Sequence, residues 1–185
     1  MVKFVWAALV LCFVAAIAEA QETPALELYG GYNYVRFNVN ADVSGQPPSQ
    51  VFNANGGGGQ MEYNVDNWLG VLGEVGGYWA TNGTKQGAAA PYLFGPRVNI
   101  RRRSLTPFAQ VLIGGVASSS GLEQSGWQTH FAMTAGGGIN LKVSKHFSIR
   151  PAQAEYFMTK VPDGLNNRQN NFRFSTGVSL LLGRK

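Results

Sequence analysis

The stretch THFAMTAGGGINLKV, residues 129–143, alternates between two different faces over its whole length. Every second residue from Phe131 to Val143 is apolar or small. The alternate residues, every second one from His130 to Lys142, are small or polar. Such alternation with a period of two indicates a β-strand with one apolar side. The stretch is long for a soluble domain, and about 9–11 tilted residues are enough to cross a bilayer. We therefore interpret it as a membrane strand with an apolar outer face and a polar inner face.

Seven further stretches repeat this alternation and are separated by turn or loop signals. The eight predicted strands cover residues 25–38, 58–65, 68–80, 91–102, 106–116, 129–143, 147–160 and 171–182. Their connections alternate between long and short, and the long ones cover residues 40–57, 81–90, 117–128 and 161–170. This arrangement predicts an all-β fold, an eight-stranded antiparallel up-and-down transmembrane β-barrel. The first and last strands are expected to pair, because lipid does not tolerate an open sheet edge.

The first twenty residues have the pattern of a secretory signal peptide. Lys3 gives a basic start, residues 4–17 are apolar, and Ala18 and Ala20 provide the small residues of a cleavage site before Gln21. The apolar run is shorter than the ~18 residues of a spanning helix, which favours cleavage over an N-terminal anchor. We expect residues 1–20 to be removed and residues 21–185 to form the barrel domain.

Composition argues against several other protein classes. The one cysteine, Cys12, lies in the expected signal peptide, so the barrel is expected to contain no disulfide. Glycine is abundant, with 24 residues, and the mean hydropathy of −0.07 is too low for a helical membrane protein but suits a membrane barrel. The formal net charge of +5 comes from scattered residues without a basic helix or a recognised motif, which argues against nucleic-acid binding.

Three motifs carry a family resemblance: ELYGGYNYVR at 27–36, YNVDNWLG at 63–70 and IRPAQAEY at 149–156. They resemble the small bacterial outer-membrane β-barrel family, which is related to the transmembrane domain of OmpA. The resemblance covers essentially all of residues 21–185 and implies a location in the bacterial outer membrane, among its lipids. The sequence ends at Lys185, so the periplasmic peptidoglycan-binding domain of full-length OmpA-type proteins is not expected. The ending LGRK also departs from the family habit of a terminal aromatic residue.

Eight charged residues fall on the predicted inner faces, and their charges balance. They are Glu27, Glu62, Glu74, Glu155, Arg97, Arg101, Arg150 and Arg173. An eight-stranded barrel is barely wide enough for its own side chains, so these charges are expected to pair. We expect Glu62 or Glu74 to pair with Arg97 or Arg101, and Glu74 is the better placed because strands three and four are neighbours. The set predicts either a packed polar lumen or a gated path for ions or solutes, and the narrow bore favours packing.

Strand seven requires an irregularity near Pro151. Strict alternation from an inward Arg150 would turn Glu155 towards lipid, which is costly for a carboxylate. One extra residue between Arg150 and Gln153 would keep both Gln153 and Glu155 inside and turn Tyr156 outwards. Proline has no N–H for the ladder, so we predict a β-bulge at this position.

The sequence contains no pattern that predicts a catalytic, cofactor or metal site. His130 is the one predicted inward histidine, and the serines at 118–120 form no motif with it. There is no Cys/His cluster for a transition metal, and isolated aspartates such as Asp66 are expected in turns. The three arginines at 101–103 lie at a short turn, where they either meet anionic headgroups or form a solvated strand end.

Four functional hypotheses follow. The first is a structural outer-membrane barrel with a packed polar lumen, whose long loops at 40–57, 81–90, 117–128 and 161–170 bind an extracellular ligand. The others are a narrow channel, a lipid-modifying barrel enzyme and a soluble lipocalin-like barrel with reversed faces. The predicted inner faces of all eight strands carry polar or small residues, which favours a membrane barrel over a lipocalin. We expect no enzymatic activity and no cofactor.

Overall fold

Eight β-strands make up the computed structural model, which describes residues 23–39, 50–82, 85–120, 126–161 and 168–183. They are β1 (Leu26–Val39), β2 (Gln50–Asn64), β3 (Leu69–Asn82), β4 (Lys85–Asn99), β5 (Leu105–Ser120), β6 (Gln128–Lys142), β7 (Phe147–Thr159) and β8 (Gln169–Leu182). Each strand pairs antiparallel with its neighbours in the chain, and β1 pairs with β8 to close the barrel. None of the described residues belongs to a helix long and apolar enough to cross a membrane. The predicted eight-stranded up-and-down barrel is confirmed.

Short turns define one end of the barrel. Val65 N donates to the carbonyl oxygen of Leu69 at 2.8 Å between β2 and β3, and Val143 N donates to that of Phe147 at 3.0 Å between β6 and β7. The connection between β4 and β5 lies at the same end, where Arg102 N donates to a carbonyl oxygen at 2.9 Å. We call this the short-turn end, and the opposite end the loop end. Both the start of β1 and the end of β8 lie at the short-turn end.

The strands extend further towards the loop end than the sequence predicted. Residues 50–57, 85–90 and 117–120 were assigned to loops, but they belong to β2, β4 and β5. A strand segment outside the hydrocarbon layer needs no apolar face, so the period-two pattern does not mark it. Conversely, β4 ends at Asn99 rather than at residue 102. Residues 40–49, 83–84, 121–125 and 162–167 of the predicted loops lie outside the described residues.

The two faces of the barrel have opposite character. Large apolar side chains such as Met61, Val75, Trp79 and Phe94 are exposed on the outer surface. Most of the buried side chains that point inwards are polar or charged. A soluble barrel would have the reverse arrangement, because water disfavours a continuous apolar surface. The lipocalin-like alternative is therefore inconsistent with the structure, and a membrane-spanning barrel is consistent with it.

The predicted β-bulge in β7 is confirmed. The register of β7 against β8 shifts between Arg150 and Gln153, and its register against β6 shifts at the same level. The two intervening residues, Pro151 and Ala152, both face outwards. Arg150, Gln153 and Glu155 are all buried inside the barrel. The extra residue thus corrects the phase of the strand, and it keeps the Glu155 carboxylate out of the lipid.

Candidate functional site

Arg97 and Glu62 form one ion pair inside the lumen, and both residues lie near the short-turn ends of their strands. Arg97 Nη1 donates to Glu62 Oε2 at 2.6 Å, and both side chains are only 1% exposed. The two residues lie on β4 and β2, and β3 runs between them. At this level β3 presents Gly70, where a Cβ atom would overlap the Glu62 carboxylate. The missing side chain therefore makes the space in which Glu62 reaches across β3 to Arg97.

Arg173 binds two carboxylates at once. Its Nη2 lies 2.5 Å from Glu155 Oε2 and 2.9 Å from Glu74 Oε2, and its Nη1 also contacts Glu74. Nη1 donates a further hydrogen bond to the hydroxyl of Tyr78 at 2.8 Å. A guanidinium has five N–H donors in a planar fork, so it can hold both carboxylates in one arrangement. Arg173 is thus the centre of a buried three-residue cluster with one excess negative charge.

Arg101 and Glu27 form a third pair, which lies at the short-turn end. Arg101 Nη2 donates to Glu27 Oε1 at 2.8 Å and to Asn64 Oδ1 at 2.7 Å. Its Nε donates to the main-chain oxygen of Asn67 at 3.0 Å. The Arg101 side chain is 11% exposed, more than the other arginines in these pairs. The pair closes the mouth of the lumen rather than its centre.

Arg150 has no carboxylate within 4.0 Å among the described residues, although it is buried. Its guanidinium instead donates to the side-chain oxygens of Asn140, Gln60 and Gln153, at 2.8, 2.7 and 2.6 Å. Its Cζ also lies 3.9 Å from the ring centroid of Tyr29 and 4.6 Å from that of Phe108. Aromatic faces attract a desolvated cation. The positive charge of Arg150 offsets the extra carboxylate at Arg173, so the set of eight is neutral only as a whole.

Two glutamines connect the ion pairs into one network. Gln60 Nε2 donates to Glu74 Oε2 at 2.6 Å, while its Oε1 accepts from Arg97 Nη2 at 2.5 Å. Gln110 accepts from Arg97 Nε at 2.8 Å and donates to Glu155 Oε1 at 2.8 Å. Each amide therefore satisfies a cation on one side and a carboxylate on the other. The sequence analysis did not predict this role, because it selected the network by charge alone.

The expected partner of Glu74 is wrong. Glu74 lies opposite Leu93 on β4 and Gln60 on β2, so neither neighbouring strand offers an arginine at its level. It reaches instead across the narrow bore to Arg173 on β8. The prediction failed because it considered only neighbouring strands, whereas side chains from opposite walls meet in a barrel of this size.

An apolar plug fills the lumen beside this network and towards the loop end. We define the plug as the nine buried residues Val35, Ala54, Leu72, Tyr78, Leu93, Leu112, Val116, Ala132 and Phe157, each 0–3% exposed. The side chains packed against it include Phe37, Ala80 and Ala89, which lie near the loop ends of their strands. Phe157 contacts Phe37 and Tyr78 edge to face, with ring centroids 6.3 and 6.4 Å apart. The sequence analysis did not predict this plug.

The described residues offer little for metal or catalytic chemistry. No group of three or more His, Cys, Asp or Glu side chains in this part of the chain could hold a metal ion. His130 is half-buried on β6, opposite Val116 of the apolar plug, rather than beside a carboxylate. The arrangement is that of a filled interior, in which carboxylates, amides and aromatic rings surround the buried arginines and an apolar layer adjoins them.

Comparison with solved structures finds barrels of the same architecture. Neisserial surface protein A is 13% identical, with a TM-score of 0.64, and the match covers 84% of this chain and 97% of that one. OprG, an outer membrane protein from Pseudomonas aeruginosa, is 10% identical, with a TM-score of 0.58 over 87% of this chain and 97% of that one. Ail, the attachment invasion locus protein of Yersinia pestis, is 17% identical, with a TM-score of 0.50 over 83% and 97%. At these identities the likeness shows the fold alone.

The sequence itself was compared with known families and proteins. A search of curated proteins finds no match. Residues 4–179 match the family described as outer membrane protein beta-barrel domain, which is most of the chain. The chain therefore belongs to the outer membrane protein β-barrel family, and its eight strands form a barrel of the bacterial outer membrane.

Proposed function

We propose that this protein is a structural outer-membrane barrel with a closed lumen, and that it interacts with partners through its loop end. The observation that carries the proposal is the apolar plug next to the neutral charge network. An ion crossing the barrel would have to leave the charged region and pass nine tightly packed apolar or aromatic side chains. Hydrophobic constrictions of this kind block ions by excluding water. A narrow channel is therefore the less supported function.

The charge network gives a second reason for a closed lumen. Opening a path past Arg97 or Arg173 would separate buried ions that are 1% exposed. Separating a buried pair without new partners costs about 3–5 kcal/mol. The network therefore acts as a structural filling that fixes the strands in register around it. Its neutrality as a set allows the interior to exclude water without an uncompensated charge.

The loop end is then the surface available to an external partner. Membrane barrels of this class carry their longer loops outside the cell and their short turns in the periplasm. Among structures of the same fold is Ail in complex with the heparin analogue sucrose octasulfate, which is a property of that protein. For this chain we propose an extracellular ligand at the predicted loops 40–57, 81–90, 117–128 and 161–170 and no catalytic role.

Swelling of proteoliposomes tests the closed lumen. Vesicles that contain the refolded protein should exclude arabinose and glycine as well as protein-free vesicles do, because the lumen is filled. The variant Phe157→Ala with Leu112→Ala, which removes two plug side chains, should swell faster. A matched control is Phe172→Ala with Val178→Ala on the outer surface, which should leave swelling unchanged. Rapid swelling with the unaltered protein would contradict the proposal.

Protease treatment of intact cells tests the orientation. Added protease should cut within the predicted loops and spare a tag placed after Lys185, because both ends of the barrel lie at the short-turn end. Removal of that tag from intact cells would place the short turns outside, and the loop end could not be the interaction surface.

A further inference from the structure

The residues just before β1 fold into the short-turn mouth of the barrel. Thr23 is 4% exposed, and Pro24 is also buried. Pro24 borders a small space together with Leu181 of β8 and Lys142 of β6, so it lies within the ring of strand ends. A segment that continued β1 straight out of the barrel would be exposed, as chain ends usually are. We call residues 23–25 the mouth segment.

Asn64, the last residue of β2, binds the mouth segment at two successive carbonyl groups. Its Nδ2 donates to the main-chain oxygen of Pro24 at 2.9 Å, and its main-chain N–H donates to that of Ala25 at 3.1 Å. Asn64 is 0% exposed. The bond to Pro24 comes from a side chain and lies outside the β1–β2 ladder, so strand pairing alone does not produce it.

The same side chain connects the mouth segment to the ion pair at the mouth. Asn64 Nδ2 also donates to Glu27 Oε1 at 3.1 Å, and its Oδ1 accepts from Arg101 Nη2 at 2.7 Å. An asparagine amide has two N–H donors and one acceptor oxygen, so these contacts use the whole group. Asn64 therefore fixes the mouth segment and the Glu27–Arg101 pair in one arrangement.

The mouth around this segment is not fully packed. A space of about 30 Å³ remains beside Pro24, enough for about two water molecules. On the other side, Gly183 at the end of β8 has a φ of 68°, and a Cβ atom there would lie 3.0 Å from the Cβ of Ala25. Glycine both tolerates this conformation and leaves room for Ala25. The position of the mouth segment therefore depends strongly on the hydrogen bonds from Asn64.

We propose that the mouth segment is a releasable closure of the short-turn mouth, and that Asn64 is its positioning residue. A segment held by a few hydrogen bonds at the end of a sheet can open locally while the strands stay paired. The apolar plug lies towards the loop end, so the two closures are in series along the lumen. The inference extends the closed lumen proposed above, but the position of the segment can be measured without any passage of ions.

Thiol labelling measures the release of the mouth segment. The only natural cysteine, Cys12, lies in the expected signal peptide, so Thr23→Cys places a single reporter in the refolded barrel. A maleimide should modify this cysteine at least about tenfold more slowly than one at Lys145→Cys, in the exposed β6–β7 turn. Asn64→Leu and Asn64→Asp should each raise the rate at residue 23 about tenfold, because each loses the bond from Nδ2 to the segment.

Glu27→Gln is the matched control. It removes the charge of a residue that Asn64 also contacts, but it leaves both bonds from Asn64 to the mouth segment. It should therefore change the labelling rate at residue 23 less than about twofold. The gel shift of the folded barrel, recorded for every variant, distinguishes local release from unfolding.

Hydrogen exchange provides a second measurement that needs no substitution. In the unaltered barrel the amide of Asn64 should exchange more slowly than that of Lys145, because it donates to Ala25. It should exchange faster than the amide of Glu62 further along β2, because the mouth segment opens before the strand does. Exchange of the Asn64 amide as fast as that of Lys145 would overturn the closure, and exchange as slow as that of Glu62 would overturn its release.

Planar-bilayer recording tests whether the two closures act in series. Adding Asn64→Leu to the plug variant Phe157→Ala with Leu112→Ala should increase its conductance, whereas adding Glu27→Gln should change it less. Openings of the unaltered barrel would contradict the closed lumen but not the labelling result, so the two proposals fail separately. Rapid labelling of Thr23→Cys in the otherwise unaltered protein, or equal labelling rates in the Asn64 variants and Glu27→Gln, would overturn the closure.

Discussion

Three glutamate-to-glutamine substitutions rank the ion pairs by two criteria, how deeply each pair is buried and whether its arginine keeps another carboxylate. Glu62→Gln leaves Arg97 without a carboxylate at a site where both side chains are 1% exposed, and breaking such a pair costs about 3–5 kcal/mol. Glu74→Gln leaves Arg173 with Glu155, so it removes only charge-assisted hydrogen bonds, a loss of about 1.5–3 kcal/mol. Glu27→Gln should cost the least of the three, because the Arg101 side chain is 11% exposed at the mouth and keeps its hydrogen bonds to Asn64 and to the main-chain oxygen of Asn67.

Reversible urea unfolding in phospholipid vesicles, followed by tryptophan fluorescence, measures these losses. The free energy of unfolding should fall most for Glu62→Gln, less for Glu74→Gln and least for Glu27→Gln. Adding Arg97→Met to Glu62→Gln should recover much of the loss, because no charge is then left unpaired in the interior. Equal losses at the three sites, or a largest loss at Glu27, would refute the reasoning that burial together with the number of remaining carboxylates sets the cost.

Three other predictions follow from the plug, the bulge and the N-terminus. Phe157→Ala should lower the free energy of unfolding by about 3–5 kcal/mol because it leaves a cavity in the plug, and the lipid-facing Phe172→Ala should cost less in the same urea titration. Deleting Ala152 removes the bulge but keeps the strand register on both sides, so this variant should still show the gel shift of a folded barrel. Deleting Ala154 should impair folding, because one of the inward polar side chains of β7 must then turn to lipid. N-terminal sequencing of the mature protein should begin at Gln21, and retention of the initial methionine would disprove cleavage.

The fold was predictable because lipid imposes a simple rule on every strand. A residue that faces hydrocarbon must be apolar or small, and its neighbours then face inwards, so the period of two in residues 129–143 identifies both faces at once. The bulge was predictable for the same reason, since only a phase shift keeps both Arg150 and Glu155 inside. Where the strands leave the lipid, this rule no longer applies, and the strand ends at the loop side were therefore missed.

The pairing inside the lumen could be predicted only in part. Glu62 and Arg97 form one of the pairs that the sequence analysis allowed, but Glu74, which it considered better placed, reaches Arg173 across the bore. Which inner residues meet across a barrel depends on the tilt and stagger of its strands, and neither quantity is written in a local pattern. The sequence analysis also considered only pairs of opposite charges. In the structure, amide side chains and aromatic rings contact the charged groups as well, as around Arg150.

The apolar plug escaped prediction because its members are scattered. Leu72, Leu112 and Phe157 lie on three different strands, and each is surrounded in sequence by polar inner residues or glycine. Within a single strand, such an apolar residue stands alone on an otherwise polar inner face and predicts no apolar layer. Only closure of the barrel brings these exceptions together into one layer.

Single-channel recording in planar bilayers tests the central claim, the closed lumen, most directly. At 1 M KCl the unaltered protein should give no discrete current steps, because the apolar plug and the paired charges leave no hydrated path. Phe157→Ala combined with Leu112→Ala should produce steps under the same conditions, whereas the outer-surface pair Phe172→Ala with Val178→Ala should not. Reproducible openings of the unaltered barrel, at the same conductance as the plug variant, would contradict the account.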